Sequence, residues 1–330
     1  MNLLALFQAL ESPDEPGLPI ATFSVAPVEG FTSFMVGKDG RGRGALLVAG
    51  AHKVNLPAIK LQAVEAYFGL RCSLQTSGQE PTSTRLSIIQ CPVSDDETIR
   101  FFFSICATLV SLLGDNPTSD DLWASVNRIA SLFQKLLRAP KRSLDGLFGE
   151  IFIIWQSVNP LSAIRLWRLT EEARFDFVGE RLRLDVKTTS SHHRSHVLSF
   201  EQTNPPADTI GIFASLFVEQ VNSGTSLGDL IEDLEERLSS EPEQIFRLQE
   251  QLAATLGATL HTALAAKFDV QLTTDSLRFF KAVDVPAIRG ESPMGVSDIH
   301  FRSDFTQALT SELNVLIQEA PELAAFSARY

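Results

Sequence analysis

The stretch RFDFVGERLRLDVKTT, residues 174–189, constrains the fold of this chain more than any other segment. Phe175, Phe177 and Val178, then Leu184 and Val186, suit two short apolar strands, and GERLR (179–183) is short enough for a hairpin between them. Charged residues in such strands are costly unless something compensates them. Asp176, Asp185 and Lys187 therefore need a reason. Residues two apart in a strand share a face, so Asp185 and Lys187 point to one side and Leu184 and Val186 to the other. On adjacent antiparallel strands, Asp176 and Asp185 come within reach of one shared cation. Two carboxylates that close repel each other unless positive charge sits between them. A hard divalent ion such as Mg²⁺ suits this donor set, because it takes one or two carboxylates, keeps several waters and accepts substrate phosphate. Lys187 would then stand beside a metal-bound water, lowering its pKa and stabilising charge on a phosphoryl oxygen. The competing reading is a pair of structural ion pairs, Asp185–Arg174 and Asp176–Arg183.

The surroundings favour the first reading. The chain carries a net charge of −12, which argues against a surface uniformly attractive to nucleic acid or anionic membrane. Residues 134–198 depart from this with 11 Lys or Arg against seven acids. Upstream, the helix expected over Leu144–Gln156 has an apolar face of Leu147, Phe148, Ile151, Ile154 and Trp155. Gly146 and Gly149 allow close backbone approach there, and Glu150 on that helix reaches the same cation from the side. Downstream, the polar loop TTSSHHRS offers Thr188, Ser190, Arg194 and His196 as donors to phosphate oxygens of DNA, with a solvated turn as the plain alternative. His192, His193 and His196 lack a fourth ligand or a nearby Cys at zinc spacing. His52, His261 and His300 are isolated.

GLFGEIFIIWQ, then FDF, then LDVK together resemble the PD-(D/E)xK nuclease superfamily, whose fold is restriction-endonuclease-like. By that resemblance Glu150 matches the helical acid, Asp176 the first catalytic Asp, Asp185 the second acid and Lys187 the lysine. Within the superfamily the chain is most similar to a bacterial family of PD-(D/E)xK proteins found beside restriction and anti-phage genes. The shared shape is G-L-x-G-E, an aromatic-flanked Asp, acid-x-Lys-Thr/Ser, and then Arg/His/Ser positions through Ser199 and Gln202. It is close over about 60 residues and extends to the rest only as an order of elements. Phe175 stands where the pattern has Pro, a position that is not a ligand. The resemblance implies an endonuclease that hydrolyses DNA using Mg²⁺, with Mn²⁺ able to substitute, in bacterial restriction or anti-phage defence. The alternatives are a non-catalytic nucleic-acid-binding or assembly subunit of the same fold, and an RNase. Cutting both strands calls for two sites, so a homodimer is expected. The chain has no Walker-type loop, so a nucleotide-driven step would need a companion ATPase subunit, and a companion methyltransferase would fit a restriction system.

A chain of 330 residues has room for two or three domains, and 44% hydrophobic with 21% charged residues is an ordinary globular balance. The expected architecture is α+β or α/β. It comprises a β-rich N-terminal domain (1–93), then helices leading into a restriction-endonuclease-like core of mixed sheet flanked by helices (94–220). A helical C-terminal α+β region (221–330), either an extension of that core or part of it, completes it. Strands are read at Ile20–Val28, Ser33–Gly37, Ala45–Gly50 and Thr84–Cys91, with an amphipathic helix near Leu56–Phe68. GKDGRGRG (37–44) lacks the ending of a phosphate cradle and reads as a hairpin turn. Three helices span 95–157 and short strands fill 173–217. After 226 come SLGDLIEDLEERL, with an apolar stripe that suits core, and a long helix through EPEQIFRLQEQLAATLGATLHTALAAKF. Ser240 and Glu243 have capping-box spacing ahead of that long helix. Strands near 268–273, 278–284 and 298–302 and a last amphipathic helix follow. Cys72, Cys91 and Cys106 read as reduced, buried thiols. With no signal peptide at MNLLALFQALESPDEP and no apolar run long enough to span a bilayer, a cytoplasmic protein is expected, without a membrane partner.

Overall fold

Alternating apolar strands and capped helices account for most of the chain. The computed structural model describes residues 2–13, 21–50, 56–76, 80–93, 95–168, 173–191, 193–292 and 294–329; Ile20, His52 and His192 lie outside the described residues. The fold is mixed α+β, and the chain forms two units, residues 1–139 with 241–261 and residues 140–240 with 262–330. Among the described residues no helix is long and apolar enough to cross a membrane.

The first unit contains α1 (Leu3–Ala9), β1 (Ala21–Pro27), β2 (Phe34–Asp39), β3 (Gly44–Val48), β4 (Ile59–Lys60), β5 (Glu65–Gln75), β6 (Thr82–Gln90), α2 (Asp96–Leu113) and α3 (Ser119–Lys135). Its strands run in the order β1-β2-β3-β6-β5-β4, and β1 also pairs with β5 in parallel, so five of them close into a barrel. Phe23, Val25, Leu47, Cys72, Leu86 and Ile88 fill the interior. GKDGRGRG is the β2–β3 hairpin turn, in which the Asp39 carboxylate accepts the Arg41 and Arg43 amides. All three cysteines are free and buried.

Residues 56–68 are not the expected helix. Ile59 pairs with Ala66 and Lys60 with Glu65, and β5 then continues to Gln75. Within this stretch Glu65, Ala66 and Tyr67 pair with β6 on one side and Glu65 and Ala66 with β4 on the other, and this tertiary pairing overrides the local helical period. The units also divide differently from the expected boundaries at 93 and 220. Phe103 of α2 packs on Phe7 at 5.0 Å, and at Gly44 a Cβ would lie 2.8 Å from the Phe103 ring. The helix Pro242–Leu256 joins the same unit, where Gln249 donates to the hydroxyls of Ser104 and Thr108. That helix starts without the Ser240–Glu243 capping box, because Pro242 takes its first turn and moves the N-cap to Glu241, whose side chain makes no cap bond. It also ends early. Gly257 has φ +49°, and a Cβ there would collide with the Arg138 carbonyl.

The second unit holds α4 (Leu144–Gln156), α5 (Pro160–Leu166), β7 (Phe177–Val178), β8 (Leu182–Thr189), β9 (Ser195–Ser199), α6 (Phe200–Thr203), β10 (Ile210–Phe217), β11 (Gln220–Ser226), α7 (Leu227–Arg237), β12 (Lys267–Phe268), β13 (Arg278–Lys281) and β14 (His300–Asp304). Its main sheet runs β13-β10-β8-β7, with β8 and β10 parallel and both edges antiparallel. The expected strand 268–273 stops at Phe268, because Asp269 accepts the Leu272 amide and caps the helix Val270–Ser276. Phe268 stacks on Phe148 of α4 at 3.8 Å, and Leu227, Leu230, Ile231 and Leu234 of α7 are buried, as expected for a core stripe.

α4 lies against β8 through Gly149. A Cβ there would collide with the Thr188 methyl and approach Val186 at 3.2 Å and Leu216 at 3.3 Å. Gly149→Ala is therefore expected to cost about 1–3 kcal/mol by overpacking, despite alanine's better helix propensity. Urea denaturation checks this, and an unchanged or raised midpoint would show that the helix and sheet can separate freely.

Candidate active site

The candidate site grows from the β7–β8 ribbon. Phe177 faces Leu184 and Val178 faces Arg183, a register that sets Asp176 at the ribbon's end opposite Asp185. Asp176 is held from two sides. Its Oδ2 accepts the Val186 amide at 2.9 Å, and its backbone carbonyl accepts the Arg168 amide at 2.7 Å. Alternation along β8 places Asp185 and Lys187 on one side, with the ammonium 2.7 Å from Asp185 Oδ2. These three residues converge as the spacing required.

Gln202 joins them. Ser199 caps the four-residue α6, and its hydroxyl accepts the Gln202 amide while Gln202 Oε1 accepts the Ser199 amide. That reciprocal box leaves the Gln202 side chain aimed at β8. Its Nε2 donates to Asp185 Oδ1 at 2.8 Å, and its Oε1 also accepts from the Lys187 ammonium at 3.1 Å. One amide thus orients both the acid and the lysine.

Glu150 stands on the cluster's other side. Its Oε2 accepts Trp167 Nε1 at 2.7 Å and pairs with Arg168 Nη2 at 2.8 Å, and its Oε1 lies 3.5 Å from Arg142 Nη1. Arg142 Nη1 donates to Asp176 Oδ1 at 3.0 Å, and Arg168 Nη1 is 3.8 Å from the same oxygen. Three carboxylates, each at most 5% exposed, are thereby matched by three cations. The competing ion pairs do not form. Arg174 approaches Glu201 at 3.9 Å, and Arg183 donates to the carbonyls of Gly179 and Leu182. Burial pushes the Glu150 carboxyl up from its ordinary pKa, with the Asp176 charge adding to the rise. Burial also pushes the Asp185 carboxyl up, and the Lys187 ammonium opposes it.

Above this floor opens a cleft of about 700 Å³, walled by Arg142, Ser143, Arg174, Ser199, Glu201 and His300. Among the described residues no three His, Cys, Asp or Glu stand together as a ready metal-ligand set. Trp167 and two arginines engage the Glu150 oxygens. Two donors remain. Asp185 Oδ2 is buried and meets the Lys187 ammonium at 2.7 Å. Asp176 Oδ1 is covered by Arg142. Two carboxylates in a polar cleft fit a hard divalent ion that keeps its waters, and they do not fit zinc.

Thr188 packs against Gly149 and Ser190 is exposed just past β8. Arg194 and His196 turn inward rather than toward the cleft. Arg194 donates to the carbonyl and hydroxyl of Ser215 at 2.8 Å and to the Ser276 carbonyl. His196 is 3% exposed with Nε2 2.8 Å from Ser215 Oγ, and burial lowers its pKa to about 4, so it is neutral near pH 7. The segment following His193 is a strand, and its alternation sends His196 and Leu198 into the core. The sequence had a signal for Gln202 in its S-x-x-Q spacing from Ser199. Arg142 lay in a basic link read only as a connection, and Trp167 and Arg168 had no signal.

Residues 3–306 match the family described as "Putative PD-(D/E)XK family member, (DUF4420)". No curated protein and no solved structure matches the chain significantly.

Proposed function

The chain belongs to the PD-(D/E)XK family so described, and we propose that it is a divalent-metal-dependent endonuclease hydrolysing DNA phosphodiester bonds. PD-(D/E)XK proteins are generally nucleases that use divalent metals. The observation that carries the reading is the convergence of Asp176, Asp185 and Lys187 on one cleft floor. We take the β13-β10-β8-β7 sheet, with α4 against it, as the restriction-endonuclease-like core.

In this reading Asp176 and Asp185 hold Mg²⁺, or Mn²⁺ in its place, and Glu150 supports them through Arg168. The ion would supply Lewis acidity at a phosphoryl oxygen and a water made acidic enough to attack near neutral pH. Gln202 fixes the direction of Asp185 and Lys187. Lys187 holds its ammonium where charge develops on the phosphoryl group, the kind of preorganised stabilisation that lowers a barrier most. Thr188 and Ser190, at the far end of β8, are proposed as contacts to the DNA backbone. A twofold dimer would supply two sites to a duplex. The setting in restriction or anti-phage defence, with a companion methyltransferase or ATPase, rests on the family resemblance, and the neighbouring genes test it.

The purified chain should nick or linearise supercoiled plasmid in Mg²⁺ and leave it intact in EDTA, with single-stranded DNA and RNA as parallel substrates. Preference for RNA would reassign the sugar. A specific observation favours a second reading, a non-catalytic DNA-binding subunit: every carboxylate of the cluster already has a cation from the chain itself. DNA bound under all these conditions and cut under none would establish it.

A further inference from the structure

We propose that Arg142 is an internal counter-ion that holds the carboxylate cluster while no metal is bound and is displaced when a divalent cation enters. The inference rests on the metal-dependent reading above. Exposure separates the roles of the three cations. The Arg168 side chain is 2% exposed and sits between Glu150 and Asp176, with no route to water. Lys187 is 16% exposed, shares a strand with Asp185 and is held by Gln202. Arg142 is 36% exposed, precedes the Ser143 cap of α4 and lines the cleft. Its guanidinium can swing out without moving either the helix or the sheet.

The oxygen that Arg142 covers is the one an incoming ion needs. Asp176 Oδ2 is committed to the Val186 amide, whereas Oδ1 takes Arg142 at 3.0 Å and Arg168 only at 3.8 Å. A divalent cation between Asp176 and Asp185 would therefore contend for Oδ1 with a guanidinium already at 3.0 Å, and a third positive group beside Arg142 and Arg168 would be repelled by both. Entry becomes an exchange of one positive group for another. Without Arg142, Asp176 and Glu150 would lie buried with Arg168 alone between them, so the arginine also spares the metal-free protein a repulsion. The two roles are linked reciprocally: whatever holds Arg142 in place weakens the metal, and whatever binds the metal frees Arg142.

Calorimetric titration of the full chain with Mn²⁺ alone, without DNA, reads the exchange directly. Arg142→Gln should bind Mn²⁺ about tenfold more tightly than the wild type, within the usual range of coupling between sites. Arg142→Lys, which keeps the charge, should stay near the wild type. A second measurement needs no variant: labelling of Arg142 by phenylglyoxal, read by mass spectrometry, should speed up when Mn²⁺ is added to the wild type. Equal or weaker Mn²⁺ binding by Arg142→Gln overturns the exchange and leaves the metal reading standing. Absence of binding by wild type and variant alike removes both. Should Arg142→Gln fail to fold, labelling that Mn²⁺ leaves unchanged or slows overturns the exchange by itself.

Discussion

Lys187→Ala is expected to lower plasmid cleavage by roughly a hundredfold or more, the usual loss when one preorganised electrostatic group is removed. DNA binding measured in Ca²⁺ should stay almost intact. The ammonium is mostly buried and held from two sides, unlike an exposed phosphate contact. It is 16% exposed, 2.7 Å from Asp185 and 3.1 Å from Gln202 Oε1. A group held from two sides against Asp185 and Gln202 is expected to act on reacting atoms more than on the DNA backbone. Were Lys187 only a phosphate contact, its loss would weaken binding and flatten the salt dependence by about one unit of slope. Gel shifts across a salt series and plasmid cleavage in Mg²⁺ measure the two quantities separately. Full cleavage by Lys187→Ala would take the lysine out of the mechanism.

Arg168→Met should cost about 3–5 kcal/mol of stability, the range for breaking a buried ion pair from one side. Arg168 is 2% exposed and pairs with Glu150 at 2.8 Å, so its removal leaves a carboxylate buried beside Asp176 with only Arg142 near. The loss depends on pH in a definite direction. Arg168 opposes the rise of the Glu150 pKa, so without it the folded-state value climbs further above the unfolded one. Stability from a group raised in this way is complete below its unfolded pKa and is lost as pH rises through the folded one. The variant should therefore be weakest relative to the wild type on the alkaline side. Adding Glu150→Gln should return part of the loss, since the amide needs no counter-charge and its oxygen can still accept from Trp167. Urea denaturation at pH 6 and pH 9, on either side of the folded-state Glu150 pKa of about 8, followed by tryptophan fluorescence, checks all three statements. A loss under about 1 kcal/mol at both pH values would place Arg168 among the ordinary surface ion pairs.

The sequence by itself determined the part of the site that local geometry controls. Asp176, Asp185 and Lys187 lie within twelve positions of one another, joined by a short turn, so strand alternation alone brings them together. Glu150 was legible as an acid in the apolar part of a helix, which Gly149 lets close to the sheet. Tertiary structure decided the remainder, and the reason is distance along the chain. The sequence predicts a strand at β9, as across 173–217, but which of its faces is buried depends on the distant pairing of β9 with β14, Ser303 facing His196, which leaves His196 in the core with Arg194 just before it bonded to Ser215. Residues 59–60 and 65–68 are strand instead of helix because Glu65, Ala66 and Tyr67 pair with the distant β6, and Glu65 and Ala66 also with β4 in a short hairpin. Gln202, Arg142 and Arg168 come from a capping turn, a linker and the segment after α5, and no short-range period ties them to Asp185 or Asp176. Burial then set their chemistry: carboxylates out of water require partners, and the partners are whichever cations and amides the packed chain places within reach.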